Sequence, residues 1–421
     1  MRGPKSPWSR LRWGLAALLL ALGPSGARSQ EAPASLALSE AERRALEFSP
    51  ALKAADDRIR VEEGRLRQVG LYPNPDLALD GSWQTNGQGS RETVLSFRQP
   101  IPYPSARDLL RQEAQERVET ARGDRDRERL DLLQQVRASY GRLYFAAAFL
   151  KVEEEDLEAT RALEKAAEAR VATGDAPPFE SLKAAVEVSR AEGEVGRARG
   201  ELRAETASFS LLLGQPAETP TMVEEPPSET GMFGNLPDLL ARALEKQPEV
   251  LAVHHEALAA EFAAALAHIE KRPEVALGPS LGTDHGETFV GAGVSLKLPL
   301  WNRNQGNIAA ASAASDEARA REGVVRLAIS RQVTESYQRY QSAREQRAAF
   351  EQGLLDASAR MLEKARQAYQ GGETGILEFL DARRTALAVR EEYLHASLDA
   401  VLAAAQLRRA LGEDMQDETS R

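Results

Sequence analysis

The sequence predicts a mainly α-helical chain with a small β part, folded as two copies of one unit. Three observations predict it. Stretches such as 106–171 are dense in Ala, Leu, Glu, Arg and Gln, all strong helix formers. Landmarks recur at a constant separation of 198 residues, from Gly174 to Gly372, Asp175 to Glu373, Glu180 to Glu378 and Leu182 to Leu380. Short segments near the start of each copy alternate apolar with small or polar residues, the period of two that marks a strand.

Taken in order, residues 1–29 read as a secretory signal. Arg2, Lys5, Arg10 and Arg12 precede the apolar run Trp13 to Leu22, then come Gly23, Pro24 and the small residues Ser25, Gly26 and Ala27. Cleavage after Ala27 or Ser29 fits, and the run is shorter than the ~20 apolar residues of a membrane anchor. No later segment is expected to cross a bilayer as a helix. The chain has no cysteine, which excludes disulfides, thiolate chemistry and an acylated N-terminal Cys. A net charge of −10 argues against a nucleic-acid surface and is compatible with a path for cations.

The first copy spans 36–214 and the second 238–412, joined by a Pro-, Gly- and Glu-rich linker at 215–237 and followed by a tail at 413–421. Each opens with a helix, at about 39–70 and 238–271, carrying matched Arg44-Ala45-Leu46-Glu47 and Arg242-Ala243-Leu244-Glu245. A hairpin follows. Leu77, Leu79, Gly81 and Trp83 alternate with Ala78, Asp80, Ser82 and Gln84, and Asn86–Ser90 turns into Thr93–Arg98. The second copy repeats this at Val275–Gly282, with Val290, Ala292, Val294, Leu296 and Leu298 alternating with Phe289, Gly291, Gly293, Ser295 and Lys297. Apolar residues outward to lipid and small or polar ones inward are the signature of a transmembrane β-barrel wall.

Prolines 100, 102, 104 and 299 end the second strands, and long helices start near Ala106 and Asn307. Leu133, Val136, Tyr140, Leu143, Ala147, Leu150 and Leu157 have coiled-coil spacing, and Val333, Tyr340, Leu354 and Met361 keep a seven-residue step. Each long helix reverses at a Gly tip into a return helix, 178–213 or 376–411. At ~1.5 Å per residue, 106–170 spans about 100 Å, against about 54 Å for 178–213 and about 51 Å for 238–271. The lengths predict 178–213 and 238–271 end to end along the first long helix, with 376–411 completed by 39–70. Four strands cannot close a barrel that needs about eight. Open edges are not tolerated in lipid, so other copies must complete the sheet.

Residues 36–412 resemble the TolC family of outer-membrane efflux proteins. The resemblance is carried by Tyr72-Pro73-Asn74-Pro75-Asp76-Leu77, Leu298-Pro299-Leu300-Trp301-Asn302-Arg303-Asn304-Gln305-Gly306, the paired Gly tips and the Leu-Gly pairs at 213–214 and 411–412. It implies a homotrimer whose twelve strands close one barrel in the outer membrane of a Gram-negative cell, with helices extending it as a hollow cylinder across the periplasm. It implies partners, a periplasmic adaptor and an inner-membrane pump, and no cofactor. The Arg303–Gly306 stretch is most similar to the subgroup that serves heavy-metal pumps of the resistance-nodulation-division class.

By position, the resemblance puts Tyr369 at the gate tyrosine and Glu378 and Asp381 at acidic pore-lining positions, with Glu180 as the natural partner for Tyr369. Thr374 stands where the family carries a gate-bracing arginine. Glu378 and Asp381 are three residues apart and so share one helical face. Threefold symmetry would make them a ring of carboxylates of the kind that favours cations. They are also placed as ordinary acidic residues at a helix N-terminus, where the dipole favours them. Arg170, Gly174, Asp175, Gly372, Glu373 and Gly375 are candidate adaptor contacts, beside the plainer reading that glycine serves the turn.

His254 and His255 are adjacent, so they point in different directions and form no ligand pair at helical spacing, and His268, His285 and His395 are isolated. No metal site is expected. No nucleophile–base constellation or phosphate loop is present, which argues against an enzyme. The rival reading is a periplasmic coiled-coil scaffold or adaptor without a channel, against which the alternating strands count.

Overall fold

The computed structural model describes residues 35–83, 91–224, 233–284 and 286–413. The expected signal segment, the turn Asn86–Ser90, His285 and the tail beyond Glu413 lie outside them. The chain order is β1 (Ser35–Leu36), α1 (Leu38–Phe48), α2 (Pro50–Val69), β2 (Asp76–Trp83), β3 (Arg91–Ile101), α3 (Pro104–Thr173), α4 (Pro178–Leu212) and β4 (Met222–Val223). The second copy follows with α5 (Leu236–Lys246), α6 (Pro248–Ile269), β5 (Glu274–Asp284), β6 (Glu287–Lys297), α7 (Gln305–Ala349), a π-helical turn (Phe350–Leu354), α8 (Leu355–Gln370) and α9 (Ile376–Leu411).

Each expected opening helix is two helices, because Pro50 and Pro248 lack the N–H that would continue the first. Each proline instead starts the next helix at its first position, where Ser49 and Gln247 cap with side-chain oxygens. The linker contributes β4, which pairs in parallel with β1. These two-residue strands are too short to show a sequence period.

The hairpins join edge to edge in the order β2-β3-β5-β6, antiparallel throughout. The register sorts the faces. Leu79, Leu95, Leu281 and Val290 lie in one row, Leu77 and Phe97 in another, and Leu277 and Val294 in a third. Most of these side chains are solvent-exposed in the single chain. The opposite face carries Ser96, Ser280 and Gly291 in one row, with the ion pairs Asp76–Arg98 (3.0 Å) and Glu274–Lys297 (3.1 Å). This is the apolar-out, polar-in division expected of a barrel wall. At Gly278 the backbone of β3 comes so close that a Cβ would lie 1.5 Å from the Phe97 carbonyl oxygen, so no other residue fits.

The structure corrects the expected helix stacking. Gly214, after α4, packs on Phe48 at the α1–α2 junction, and Gly412, after α9, packs on Gln247 and Pro248 at the α5–α6 junction. The ion pair Arg242–Glu413 (2.9 Å) supports the second junction. Each return helix therefore meets the opening helices of its own copy. Each copy closes its own core there: Ala41, Ala45, Val136, Tyr140, Phe209 and Leu213 in the first, and Leu239, Ala243, Val333, Tyr340, Leu407 and Leu411 in the second.

The expected seams also need correction. Leu133, Val136, Tyr140 and Leu143 are buried, but Ala147 is exposed and Leu150 and Leu157 are half-buried. The heptad line that stays buried is Ser139, Ala146, Glu153, Thr160 and Ala167. In the second copy the step holds through Tyr340 and then fails, with Leu354 and Met361 exposed. The π-helical turn at Phe350–Leu354 rotates the following residues out of phase. Finally, α6 is long and apolar enough by composition to cross a bilayer, against expectation. Its alanines give it that character, and it lies in the helical bundle, with Glu256 paired to Arg321 (3.1 Å) and Glu261 to Arg319 on α7.

A Gly278→Val chain is expected to be expressed and exported but not to assemble. A side chain forced against backbone exceeds the ~1–3 kcal/mol of ordinary overpacking. Urea extraction of outer membranes should recover the variant in the soluble fraction while the parent stays embedded.

Candidate functional site

The two tips are built alike because their turn sequences correspond. Asp175 N–H donates to the Arg170 carbonyl (2.8 Å) and Glu373 N–H to the Ala368 carbonyl (2.9 Å), the same bond 198 residues on. Gly174 N–H donates to Val171 and Gly372 N–H to Tyr369, both at 3.1 Å. Together these form Schellman caps that satisfy the last carbonyls of α3 and α8. Gly174 (φ 81°) and Gly372 (φ 74°) sit in the left-handed region that needs glycine. Gly375 does not: its φ of −83° is open to any residue. Asp175 is held by the Thr173 hydroxyl, 2.6 Å away.

What joins the tips is a cluster around Tyr369, only 2% exposed. Its hydroxyl donates to Glu180 Oε2 at 3.1 Å. Its ring stacks on Phe379 with centroids 5.6 Å apart, and the Arg170 guanidinium lies over it at 4.7 Å. Arg170 also donates to the Tyr369 carbonyl (3.3 Å) and stands 3.8 Å from Glu180. Burial, then the charge and hydrogen bond of Glu180, push the Tyr369 phenol above its ordinary value, so it stays a neutral donor. Thr374 stands before the second return helix, and the guanidinium of the cluster comes from the first tip through Arg170.

Tyr369 and Glu180 are thus brought together as the sequence suggested, and Arg170 belongs to their cluster as well as to the first tip. Phe379 was not foreseen; only its place one residue from Glu378 marked it. Glu378 and Asp381 are both exposed, three residues apart on α9. Glu378 Oε2 lies over Gly375, 3.3 Å from where a Cβ would stand, beside the α9 N-terminus. Thr374 Oγ1 is buried with no hydrogen-bond partner among the described residues. Farther from the turns, Arg383 of α9 bonds Asp156 of α3 (2.8 Å) and nears Glu187 of α4 (3.6 Å), which Arg384 also engages.

His254 and His255 each face a carboxylate on a neighbouring helix. His255 Nδ1 lies 2.6 Å from Glu116 and His254 Nδ1 3.3 Å from Glu322, while the His395 ring packs on Phe149. Among the described residues no group of three or more His, Asp or Glu side chains is arranged to hold a metal ion.

A sheet with one apolar and one polar face, continued by paired helices to two capped tips, is the build of an outer-membrane export channel. Sequence comparison agrees with that class. Residues 42–215 and 239–413 each match the Outer membrane efflux protein family, and the chain belongs to it. The double match restates the internal repeat. The chain is 26% identical to the cobalt-zinc-cadmium resistance protein CzcC of Cupriavidus metallidurans over 367 residues, 86% of each chain. It is 24% identical to the cation efflux system protein CusC of Escherichia coli K12, over 80% of this chain and 78% of that one. Among solved structures, CusC superposes with a TM-score of 0.78 at 20% identity, covering 91% and 93% of the two chains. The outer-membrane channel OprN gives 0.78 at 19% identity, covering 90% of each. The protein is an outer-membrane efflux channel with a long periplasmic part, and not an enzyme. The scaffold reading falls with the family match.

Tyr369→Phe keeps the ring contacts and removes the hydroxyl, so it should weaken the tip by the ~1.5–3 kcal/mol of a hydrogen bond to a charged group. Hydrogen exchange should show the loss at residues 362–384. A cycle with Arg170→Ala should return a coupling of roughly 0.5–3 kcal/mol, as for residues sharing one network.

Proposed function

We propose that three copies of this chain form one duct that exports metal cations, closed at its periplasmic end by the Tyr369 cluster and lined there by Glu378 and Asp381. Members of this family work as trimeric channels with tripartite pumps. The sheet supports that count. Each copy brings four strands and two unpaired edges, β2 and β6. Two copies would just reach the ~8 strands of a minimal barrel, whose interior side chains fill, whereas three leave a channel.

The observation that carries the gate is the contrast between two matched carboxylates. Glu180 is 7% exposed and bonded to Tyr369, while Glu378 is exposed, with Asp381 beside it. The first holds the tips together and leaves the second free to face a lumen. Three copies of the exposed pair give six carboxylates around the mouth, which attract cations and repel anions. The cation cargo is supported by that charge and by the metal and cation efflux roles named for CzcC and CusC. A periplasmic adaptor would dock on the tips, at Gly174, Asp175, Gly372, Glu373 and Gly375, and link the duct to an inner-membrane pump. Opening then means separating α8 and α9 from α3 and α4, which breaks the Tyr369–Glu180 bond.

Single-channel recording in planar bilayers tests this reading. The parent should give small, cation-preferring pores blocked by divalent cations. Glu378→Gln with Asp381→Asn should abolish the block and most of the preference, and Tyr369→Phe should raise the open fraction. Unchanged selectivity in the double variant would reduce both carboxylates to helix-end residues.

A further inference from the structure

Leu182 and Leu380 hold the same place in the two repeats, early in the return helices α4 and α9, yet their surroundings are opposite. Leu380 is 2% exposed and Leu182 is 65% exposed. Their counterparts on the long helices differ in the same sense. Leu163 on α3 is 5% exposed, and Met361, 198 residues on, is 40% exposed. The buried pair has an evident cause. Leu163, Ala167 and Ala184 of the first repeat form one apolar cluster with Ile376, Phe379 and Leu380 of the second, so α9 is seated on the first repeat. The second repeat carries the same seat, because Met361, Ala365 and Ala382 stand where the first has Leu163, Ala167 and Ala184. Among the described residues no further repeat follows α9 to cover it.

The helices are ordered as the strands are. α2 packs on α3, α3 on α6 and α6 on α7, which matches the strand order β2-β3-β5-β6. Nearer the tips α4 packs on α3, α3 on α9 and α9 on α8. The first repeat therefore forms one edge of the wall and the second repeat the other, with α4 on the side of β2 and α8 on the side of β6. Identical chains in a closed ring meet head to tail, the β6 edge of one receiving the β2 edge of the next. That arrangement carries α4 of the next chain to α8 of this one. Both edges are apolar there. Phe179, Leu182 and Val186, at helical spacing, make an exposed stripe on α4, and Leu354 and Met361 are exposed on the other edge.

We propose that Leu182 and Val186 of one chain pack on Met361 and Leu354 of the next, in an apolar seam that repeats between chains the contact made inside each chain. The proposal rests on the three-chain ring proposed above. The two seams differ in chemistry. Inside the chain, buried Arg383 bonds Asp156 (2.8 Å) and stands 3.6 Å from buried Glu187, which Arg384 also engages. The counterparts of Asp156, Glu187, Arg383 and Arg384 are Leu354, Thr385, Ala185 and Val186, none of them charged. The ionic clamp is therefore not repeated between chains. Apolar contact is non-directional, so this seam closes the wall without fixing the register of the tips as buried ion pairs do.

The chain has no cysteine, so introduced pairs report the seam directly. Leu182 and Met361 are both exposed in the single chain, so substitution there leaves its own core intact. A chain carrying Leu182→Cys with Met361→Cys, treated in outer membranes with a short bismaleimide, should run as covalently linked dimers and trimers on denaturing gels. Either single variant should run as one chain. A charge pair tests the same contact. Leu182→Arg or Met361→Glu alone should loosen the detergent-solubilised trimer by about tenfold or more in its dissociation, and the two together should restore the parent's behaviour. A trimer of normal mass that gives neither cross-link nor charge rescue overturns the seam and leaves the duct standing. A parent that forms no trimer overturns the three-chain reading, and the seam with it.

Discussion

The sheet has two unpaired edges and an apolar face, and most of the architecture follows from that. In hydrocarbon every unpaired backbone N–H and C=O costs several kcal/mol, with no water to satisfy it. A four-stranded sheet ending at β2 and β6 is therefore stable in lipid only when other sheets meet both edges. The strands leave the sheet into α3 and α7, which begin at Pro104 after Ile101 and at Gln305 after Lys297. Closing the sheets then fixes the long helices side by side around the same axis. The helices need not specify that ring by their own packing. Their small buried residues, such as Ala146, Thr160 and Ala167, serve close approach more than affinity.

The elements with strong periods were legible in the sequence, and so was their order. The strands, the tips and both return helices lie where the alternation, the glycines and the helix formers put them. The stacking of helices was not, and the reason is geometric. The two opening segments are nearly equal in length, so either could complete either return helix. The choice is made by local contact, Gly214 on Phe48 and Gly412 on Pro248, which leaves no mark on a length.

Glu153 was hidden for a different reason. A search for apolar seams passes over a glutamate, and Leu150 and Leu157 offered a more hydrophobic line nearby. The seven-residue step from Ser139 to Ala167 was present throughout, but its members are small or polar. The π-turn was equally silent, because a helix with one extra residue per turn has the same propensities as its neighbours. In the sequence the seven-residue step runs on to Leu354 and Met361, interrupted only by Arg347, so that arginine and Gly353 were the sole marks of the turn.

Duplication explains why the candidate site is asymmetric. The two copies carry the same acid after the tip, Glu180 in one and Glu378 in the other. What differs is the residue opposite. Tyr369 in the second copy corresponds to Val171 in the first, and Arg170 in the first corresponds to Ala368 in the second. Only one of the two possible pairings has a hydroxyl to give and a guanidinium to neutralise the charge. Glu180 can therefore be buried, since its carboxylate is bonded to Tyr369 and sits near Arg170. A carboxylate facing valine could not be, because burying it unpaired would cost far more than packing returns. Glu378 must stay in water. The matched carboxylates thus end in different settings, Glu180 as a buried tie between the tips and Glu378 as an exposed charge beside Asp381.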